Sequence, residues 1–598
     1  MKVEIQAIRA ARTPRGRSIA GAALLFVITF LPYIPAYHAG FYSDDMDNIV
    51  NNERLRTSEG LGQIWTDLRG TADIYYPLTF TTNWIEYQVW GLDPRGYHVD
   101  NVILHAVNAI LVWLVLRRLG VPGAWVAGAV FGLHPAHVES VAWATERRNL
   151  LSGLFYLLSI FAYLGFRPIG GRRDGKTTAD APGSRSRLSY ALSLVFFLAA
   201  MLSKTSALTL PAAILLLTWW KHHRLTWRDA RPLIPFFAAA LGLSLLTIGL
   251  ERQLVRAGGP GWGTFSLLDR FLIAGRAVWF YLAKALFPVK LSFIYPRWTI
   301  DAHSWPQYVY TMSAIALAIV LFAARRRIGR APLVAYLFFC GTLFPVLGFF
   351  NFFYMMMSFV ADRFLYLPSL GVIALLVGGA ASGLWRVGPR AAKAAPALSL
   401  IVLAVLGTGV WQRVHCYRTP ERLYRDVLAK HPDSWLGHYN LGCVLAGARR
   451  SDEAIEHLQT ALRMKTNFPA IRGELATVYA ESGRFADAIP LFGEALRQNP
   501  NDVNTLTNFG AMYIGLEKYD EAIEQYKKAL RINPRFAPAL KNLTRIVTFR
   551  IDWLFKQGRG DEATQFAGES RAFANEIGAT DLVRQIDDLV RAHTTPHE

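Results

Sequence analysis

Residues 502–535 read DVNTLTNFGAMYIGLEKYDEAIEQYKKALRINPR, and the same pattern recurs upstream at intervals of 34 residues. Pro432, Pro500 and Pro534 share one 34-residue grid, with Thr466 in the remaining slot. Gly442, Ala476 and Gly510 share a second; Ala454, Ala488 and Ala522 a third; Ala461, Ala495 and Ala529 a fourth. Small residues at fixed offsets let paired helices approach closely, and a proline after the second helix cannot continue it. The spacing predicts helix–turn–helix repeats that stack into a solenoid with a peptide-sized groove. Full pairs are expected at 434–467, 468–501 and 502–535, after a half repeat over 418–430 and before capping helices that run to about 593.

Upstream of Gln412 the chain changes character. With a polar tail included, 52 % of the 598 residues are hydrophobic, so the front two-thirds is strongly apolar. Apolar runs fall near 19–37, 98–116, 122–142, 148–166, 188–202, 204–220, 232–250, 266–287, 306–324, 331–350, 364–385 and 395–412. A helical span needs about 20 residues. The segment 266–287 carries Asp269, Arg270, Arg276 and Lys284, which are costly in lipid, and reads as re-entrant or interfacial. Without it about eleven spans cross and the C-terminal repeats face outward; if it crossed, they would face the cytoplasm. The expected fold class is therefore all-α: a polytopic membrane helix bundle over 1–412, then a tetratricopeptide-type α-solenoid over 413–598.

The net charge of +20 does not point to nucleic acid. Its Arg and Lys cluster in short loops (117–118, 167–187, 221–231, 325–330, 386–393), which is the positive-inside pattern, and no base-stacking module accompanies them. Lys2, Arg9, Arg12, Arg15 and Arg17 precede the run 19–37, which lacks a small-residue cleavage site and reads as an uncleaved first span with a cytoplasmic N-terminus. The three cysteines, Cys340, Cys416 and Cys443, show neither metal spacing nor a disulfide framework.

The first external loop, 38–97, is long, acidic and aromatic, with Asp44, Asp45, Asp47, Glu53, Glu59, Asp67, Asp73 and Glu86 beside Tyr75, Tyr76, Trp84 and Trp90. Short helical patterns at 61–68 and 78–90 predict interfacial helices that roof a membrane-embedded site. Asp44 and Asp45 suit a general base or a cation site, or else a helix cap. His134, His137 and Glu139 have spacing that could ligate a metal, or could merely cap spans. Arg147 and Arg148 break the positive-inside trend, as a phosphate-binding pair would. Lys204, between two apolar runs, either snorkels or grips a lipid phosphate; Arg276, Lys284 and Arg297 could add charge to the same site. Asp362 and Arg363 form a local ion pair or part of the pocket.

Six stretches then stand in one order: YSDDMDNIVNN (42–52), YYPLTF (75–80), WGLDPRGYHVDNVILHAVNA (90–109), LHPAHVESVAW (133–143), LSKTSALTLP (202–211) and VADRFLYLPSLG (360–371). With them the chain resembles the transmembrane and tetratricopeptide-repeat O-mannosyltransferase family and its bacterial relatives, within the GT-C glycosyltransferases, over nearly its whole length. The resemblance implies a GT-C-like fold, a polyprenyl-phosphate-linked sugar donor (dolichyl phosphate mannose in eukaryotes) and a protein hydroxyl acceptor brought by the repeats, with inverting transfer. It carries the base role to Asp44, supported by Asp45, and phosphate binding to Lys204, with Arg147 or Arg148. Tyr76 and His98 fall within the matching stretches and join the pocket candidates. Asn149 stands where relatives commonly have an acidic residue, so Glu139 or Glu146 would substitute. A divalent metal is compatible with this reading, with no ligand set assigned. Basic loops and high Arg and Ala usage suit a bacterial inner membrane, with the repeats on the periplasmic side. The competing readings are a non-enzymatic membrane-anchored scaffold and a polyprenyl-lipid transporter; the asymmetric acidic first loop speaks against the latter.

Overall fold

A computed structural model describes residues 15–68, 75–167, 184–257, 265–351 and 353–594. Lys2, Arg9, Arg12, Asp73 and the basic stretch 168–183 lie outside the described residues. Among the described residues every regular element is helical and none is a strand. The chain divides into two compact units, Met1–His431 and Pro432–Glu598.

Among the described residues of the first unit eight helices are long and apolar enough to cross a membrane: Gly16–His38, Pro94–Arg118, Ala144–Phe166, Ser184–Ser203, Trp227–Leu250, Trp305–Ala324, Ser369–Val387 and Pro389–Cys416. Three further apolar runs are broken, each near a proline. The run 122–142 divides into Ala124–Gly132, the 3-10 turn Pro135–His137 and Val138–Ala142. The run 204–220 becomes a 3-10 turn, Thr205–Thr209, followed by Leu210–His222 with Pro211 in its first turn. The run 331–350 stops as a helix at Leu343, before Pro345. Proline lacks an N–H and clashes with the preceding turn, which is why these runs do not continue as single helices. Such breaks are tolerated where the freed backbone is buried in protein or lines a cavity. The first two carry His134 to Glu139 and Lys204.

Segment 266–287 is one regular helix, Leu267–Leu286, and is not among the eight. Ser266 and Asp269 close a capping box at its start, and Arg270 donates to the carbonyls of Gly348 (2.7 Å) and Phe349 (3.2 Å). Its charges are thereby spent on capping and loop anchoring.

The first loop folds as a roof. Helices Ser58–Thr66 and Pro77–Trp90 occupy the expected positions. Ile49, Leu55 and Ile64 bury against Tyr97 and Ala144, with Phe41, Phe80, Trp84 and Tyr87 packed around them. The half-repeat helix, Pro420–Lys430, lies in the first unit. Arg413 holds its Asp426 at 2.5 Å, and Lys430 Nζ donates to the Leu291 carbonyl at 2.6 Å.

The second unit is a stack of helix pairs: Trp435–Gly447 with Ser451–Met464, Pro469–Glu481 with Phe485–Gln498, and Val503–Gly515 with Tyr519–Ile532. Ala537–Lys556, Gly560–Glu576 and Thr580–Thr594 follow. The small-residue grid marks the helix crossings. A Cβ on Gly442 would lie 2.6 Å from Leu458 Cγ, and one on Gly510 would lie 2.8 Å from the Tyr526 ring.

Gly442→Val should therefore overpack the first pair and cost about 1–3 kcal/mol. Gly447→Ala, with nothing within 4 Å of the added Cβ, should be neutral or slightly stabilising. Urea unfolding followed by circular dichroism checks the contrast.

Candidate functional site

The site is built where the 3-10 turn Ala144–Glu146 runs into helix Arg147–Phe166. Glu146 is fully buried. Its carboxylate accepts from Arg148 Nη2 (2.5 Å) and Asn149 Nδ2 (2.5 Å), and lies 3.5 Å from Arg363 Nε and 3.9 Å from Lys204 Nζ. Asn149 turns its other end to Lys204, whose Nζ donates to Asn149 Oδ1 at 2.5 Å. Arg363 is also paired with Glu139, through both its guanidinium and its backbone N–H. A charge taken out of water survives only with close compensation, and here three cations and two carboxylates compensate one another.

Lys204 sits at the end of helix Ser184–Ser203, before the turn Thr205–Thr209. The roof reaches it directly: Thr79 Oγ1 donates to the Ser203 carbonyl at 3.0 Å. Lys204 and Arg363 line a narrow cavity with Asn149, Ser152, Thr209 and Tyr366, of about 30 Å³. That holds a water-sized group, so a larger ligand requires the walls to part.

The two aspartates face opposite ways. Ser43, just before them, has φ 52°, a left-handed conformation uncommon for a residue with a side chain. Asp44 is exposed, accepts from Ser43 Oγ (3.2 Å) and stands 3.8 Å from Arg148 Nη2. Asp45 is fully buried and accepts from the N–H groups of Tyr42 (3.1 Å) and Thr145 (2.8 Å) and from the Thr145 hydroxyl. It locks the first loop onto the turn that carries Glu146. Burial raises its carboxyl to about 7, outweighing those hydrogen bonds. Asp44 does not line the Lys204 cavity; Arg148 and Glu146 bridge the two.

The arginine pair also diverges. Arg148 joins the cluster, with Tyr76 beside it. Arg147 turns into the protein, where it pairs with Glu86 of the roof helix and donates to Asn101 Oδ1 (3.0 Å) and the Tyr97 carbonyl (3.0 Å). His98 is buried beneath Ala39 and Gly40.

The histidines do not converge with Glu139. His134 Nε2 lies 3.2 Å from the Ala285 carbonyl and its Nδ1 accepts from Ala136 N–H. His137 bonds the Phe131 carbonyl (2.9 Å) and Ser369 Oγ (3.0 Å). Among the described residues no group of three or more His, Cys, Asp or Glu is placed to hold a metal ion.

Asp362 and Arg363 are not an ion pair with each other. Asp362 accepts from the Tyr295 hydroxyl at 2.7 Å, outside the cavity that Arg363 lines. Nor do the cations of 266–297 join the cavity. Lys284 donates to the carbonyls of Val289 and Lys290, while Arg276 and Arg297 lie over aromatic rings. The sequence offered little sign of Thr145 or Glu86 as anchors, because each acts on a partner many residues away.

Glu146→Ala leaves Arg148, Arg363 and Lys204 short of a buried counter-charge and should cost about 3–5 kcal/mol. The exposed Asp44→Ala should stay within about 0.5 kcal/mol; melting in detergent compares them. Asp45 carries a sign that can be checked. Its folded value of about 7 lies above the ordinary 3.8, so between these values the folded state holds more protons than the unfolded. Its contribution to stability thus falls as pH rises from about 4 to about 7. Asp45→Asn should flatten that part of the melting-versus-pH curve.

Tetratricopeptide repeat models match residues 421–469 and 469–535. The protein O-mannosyl-transferase F38B6.6 of Caenorhabditis elegans is 25 % identical over 476 residues, covering 76 % of this chain and 64 % of its own. The protein O-mannosyl-transferase TMTC4 of Mus musculus is 26 % identical, covering 72 % and 64 %. The protein O-mannosyl-transferase TMTC1 of Homo sapiens is 26 % identical, covering 78 % and 58 %. The chain thus spans about two-thirds or less of the length of these relatives. Among solved structures, MamA is similar over 27 % of this chain and 89 % of its own, at 21 % identity and a TM-score of 0.22. By sequence the chain is similar to these proteins, each named a protein O-mannosyl-transferase, over about three-quarters of its length.

Proposed function

We propose that this protein is a membrane glycosyltransferase that moves a mannose-like sugar from polyprenyl phosphate to a Ser or Thr hydroxyl of a protein brought by the repeats. The observation that carries this reading is the cluster in which Lys204, Arg148 and Arg363 surround Glu146, with the exposed Asp44 at its edge. The names borne by the relatives support it. Asp44 takes the proton from the acceptor hydroxyl, whose oxygen bonds to the anomeric carbon as the bond from that carbon to the phosphate oxygen breaks. The electron pair leaves with the polyprenyl phosphate, and the stereochemistry inverts. Lys204, assisted by Arg148 and Arg363, stabilises the charge gathering on the departing phosphate. Arg147 serves this step indirectly, by holding the roof through Glu86. The roof faces outward, toward the periplasm of a bacterial inner membrane, which keeps acceptor and base on one side.

Purified protein, a labelled polyprenyl-phosphate sugar and a Ser/Thr peptide test the proposal. Asp44→Ala should lower transfer by about 10²–10⁴-fold with the melting temperature retained. Undiminished transfer would eliminate the base role, and no transfer by the wild-type protein would favour a scaffold. Lys204→Met should raise the donor KM. Lys204→Arg, which keeps the charge, should retain more donor affinity than Lys204→Met.

A further inference from the structure

The turn that delivers Arg363 is held from two sides. On the cavity side its N–H donates to Glu139 Oε2 (3.0 Å), and its carbonyl accepts from Asn149 Nδ2 (3.4 Å), the amide whose oxygen grips Lys204. On the far side, Ala361 N–H donates to the Tyr281 hydroxyl (3.0 Å) and Asp362 accepts from the Tyr295 hydroxyl (2.7 Å). Tyr295 is itself fixed, since its oxygen accepts from Ser292 N–H at 3.0 Å.

Asp362 is 2 % exposed and has no direct ion-pair partner among the described residues, yet it lies in the field of Arg413, Lys284 and Lys430. Two of these cations share Asp426: Arg413 at 2.5 Å and Lys430 at 2.7 Å. Charges act on one another strongly where water is excluded. Burial pushes the Asp362 carboxyl up to about 6, with Arg413 foremost among the groups that pull it back. Residues 361–363 thus form a strap between two charged clusters, one holding helix Pro420–Lys430 and the other holding Lys204.

We propose that Asp362 is a positioning residue for the transfer reaction: its negative charge, drawn toward Arg413, Lys284 and Lys430, sets where the Arg363 guanidinium meets the donor phosphate. This rests on the glycosyltransferase reading above. A purely steric role for the turn needs only a side chain that accepts from Tyr295, and asparagine can do that. The charge is what separates the two roles.

The test uses the full chain in detergent with two readouts, equilibrium binding of polyprenyl monophosphate and turnover with the labelled donor. Asp362→Asn should weaken binding by about tenfold, within the range of coupled neighbours. In an Arg363→Ala background the same substitution should change binding by less than about twofold, because the group it acts through is gone. Equal losses in both backgrounds, or unchanged binding in the single variant, would overturn the positioning role. If Asp362→Asn does not fold, Tyr295→Phe replaces it. Removing that hydroxyl should give a smaller loss of binding that also vanishes without Arg363, and a loss that persists there counts against the proposal. Wild-type binding without turnover would sink the transfer reaction and leave the positioning of the phosphate site standing. Turnover with an unaffected Asp362→Asn variant would sink the positioning alone, and absence of wild-type binding would sink both.

Discussion

One buried carboxylate, Glu146, organises the membrane unit's chemistry. Arg148, Arg363 and Lys204 come from three distant stretches of chain, and in an apolar bundle each would be expensive alone. Brought around Glu146 and Asn149 they compensate one another. The roof is part of this arrangement, since Asp45 fastens it to Thr145, next to Glu146, and Thr79 reaches the residue before Lys204.

The breaks in the apolar runs serve the same end. A straight helix satisfies its own backbone and turns side chains toward lipid or neighbouring helices. A helix interrupted near a proline releases polar backbone that must be satisfied inside the protein. His134 and His137 do this work by taking the Ala136 N–H and the Phe131 carbonyl, and this explains why two histidines with metal-like spacing are committed elsewhere. Before the 3-10 turn that begins at Asp362, Tyr281 does the same for the Ala361 N–H, while Tyr295 holds the Asp362 side chain.

Adjacent residues repeatedly divide their labour. Asp44 faces solvent while Asp45 is sealed under Thr145; Arg148 joins the cluster while Arg147 braces the roof; Arg363 enters the cavity while Asp362 faces the cations near helix Pro420–Lys430. In each pair one member carries charge to the site and the other pins the backbone that aims it. Residue type gives both members the same chemistry, and the backbone direction at that point separates their roles.

The solenoid, the apolar character of the first unit, the roof helices and the order of the loop motifs were all legible in the chain, because periodicity, hydropathy and turn residues act locally. So was the gathering of Asp44, Glu146, Arg148, Lys204 and Arg363 as candidates, since charges near apolar spans announce themselves. Which of two neighbouring aspartates or arginines stands beside Glu146 and its cations was decided only in three dimensions, as was the commitment of the histidines to backbone carbonyls. Those outcomes depend on partners such as Thr145, Glu86 and Tyr295, which lie far off in sequence and carry no local pattern.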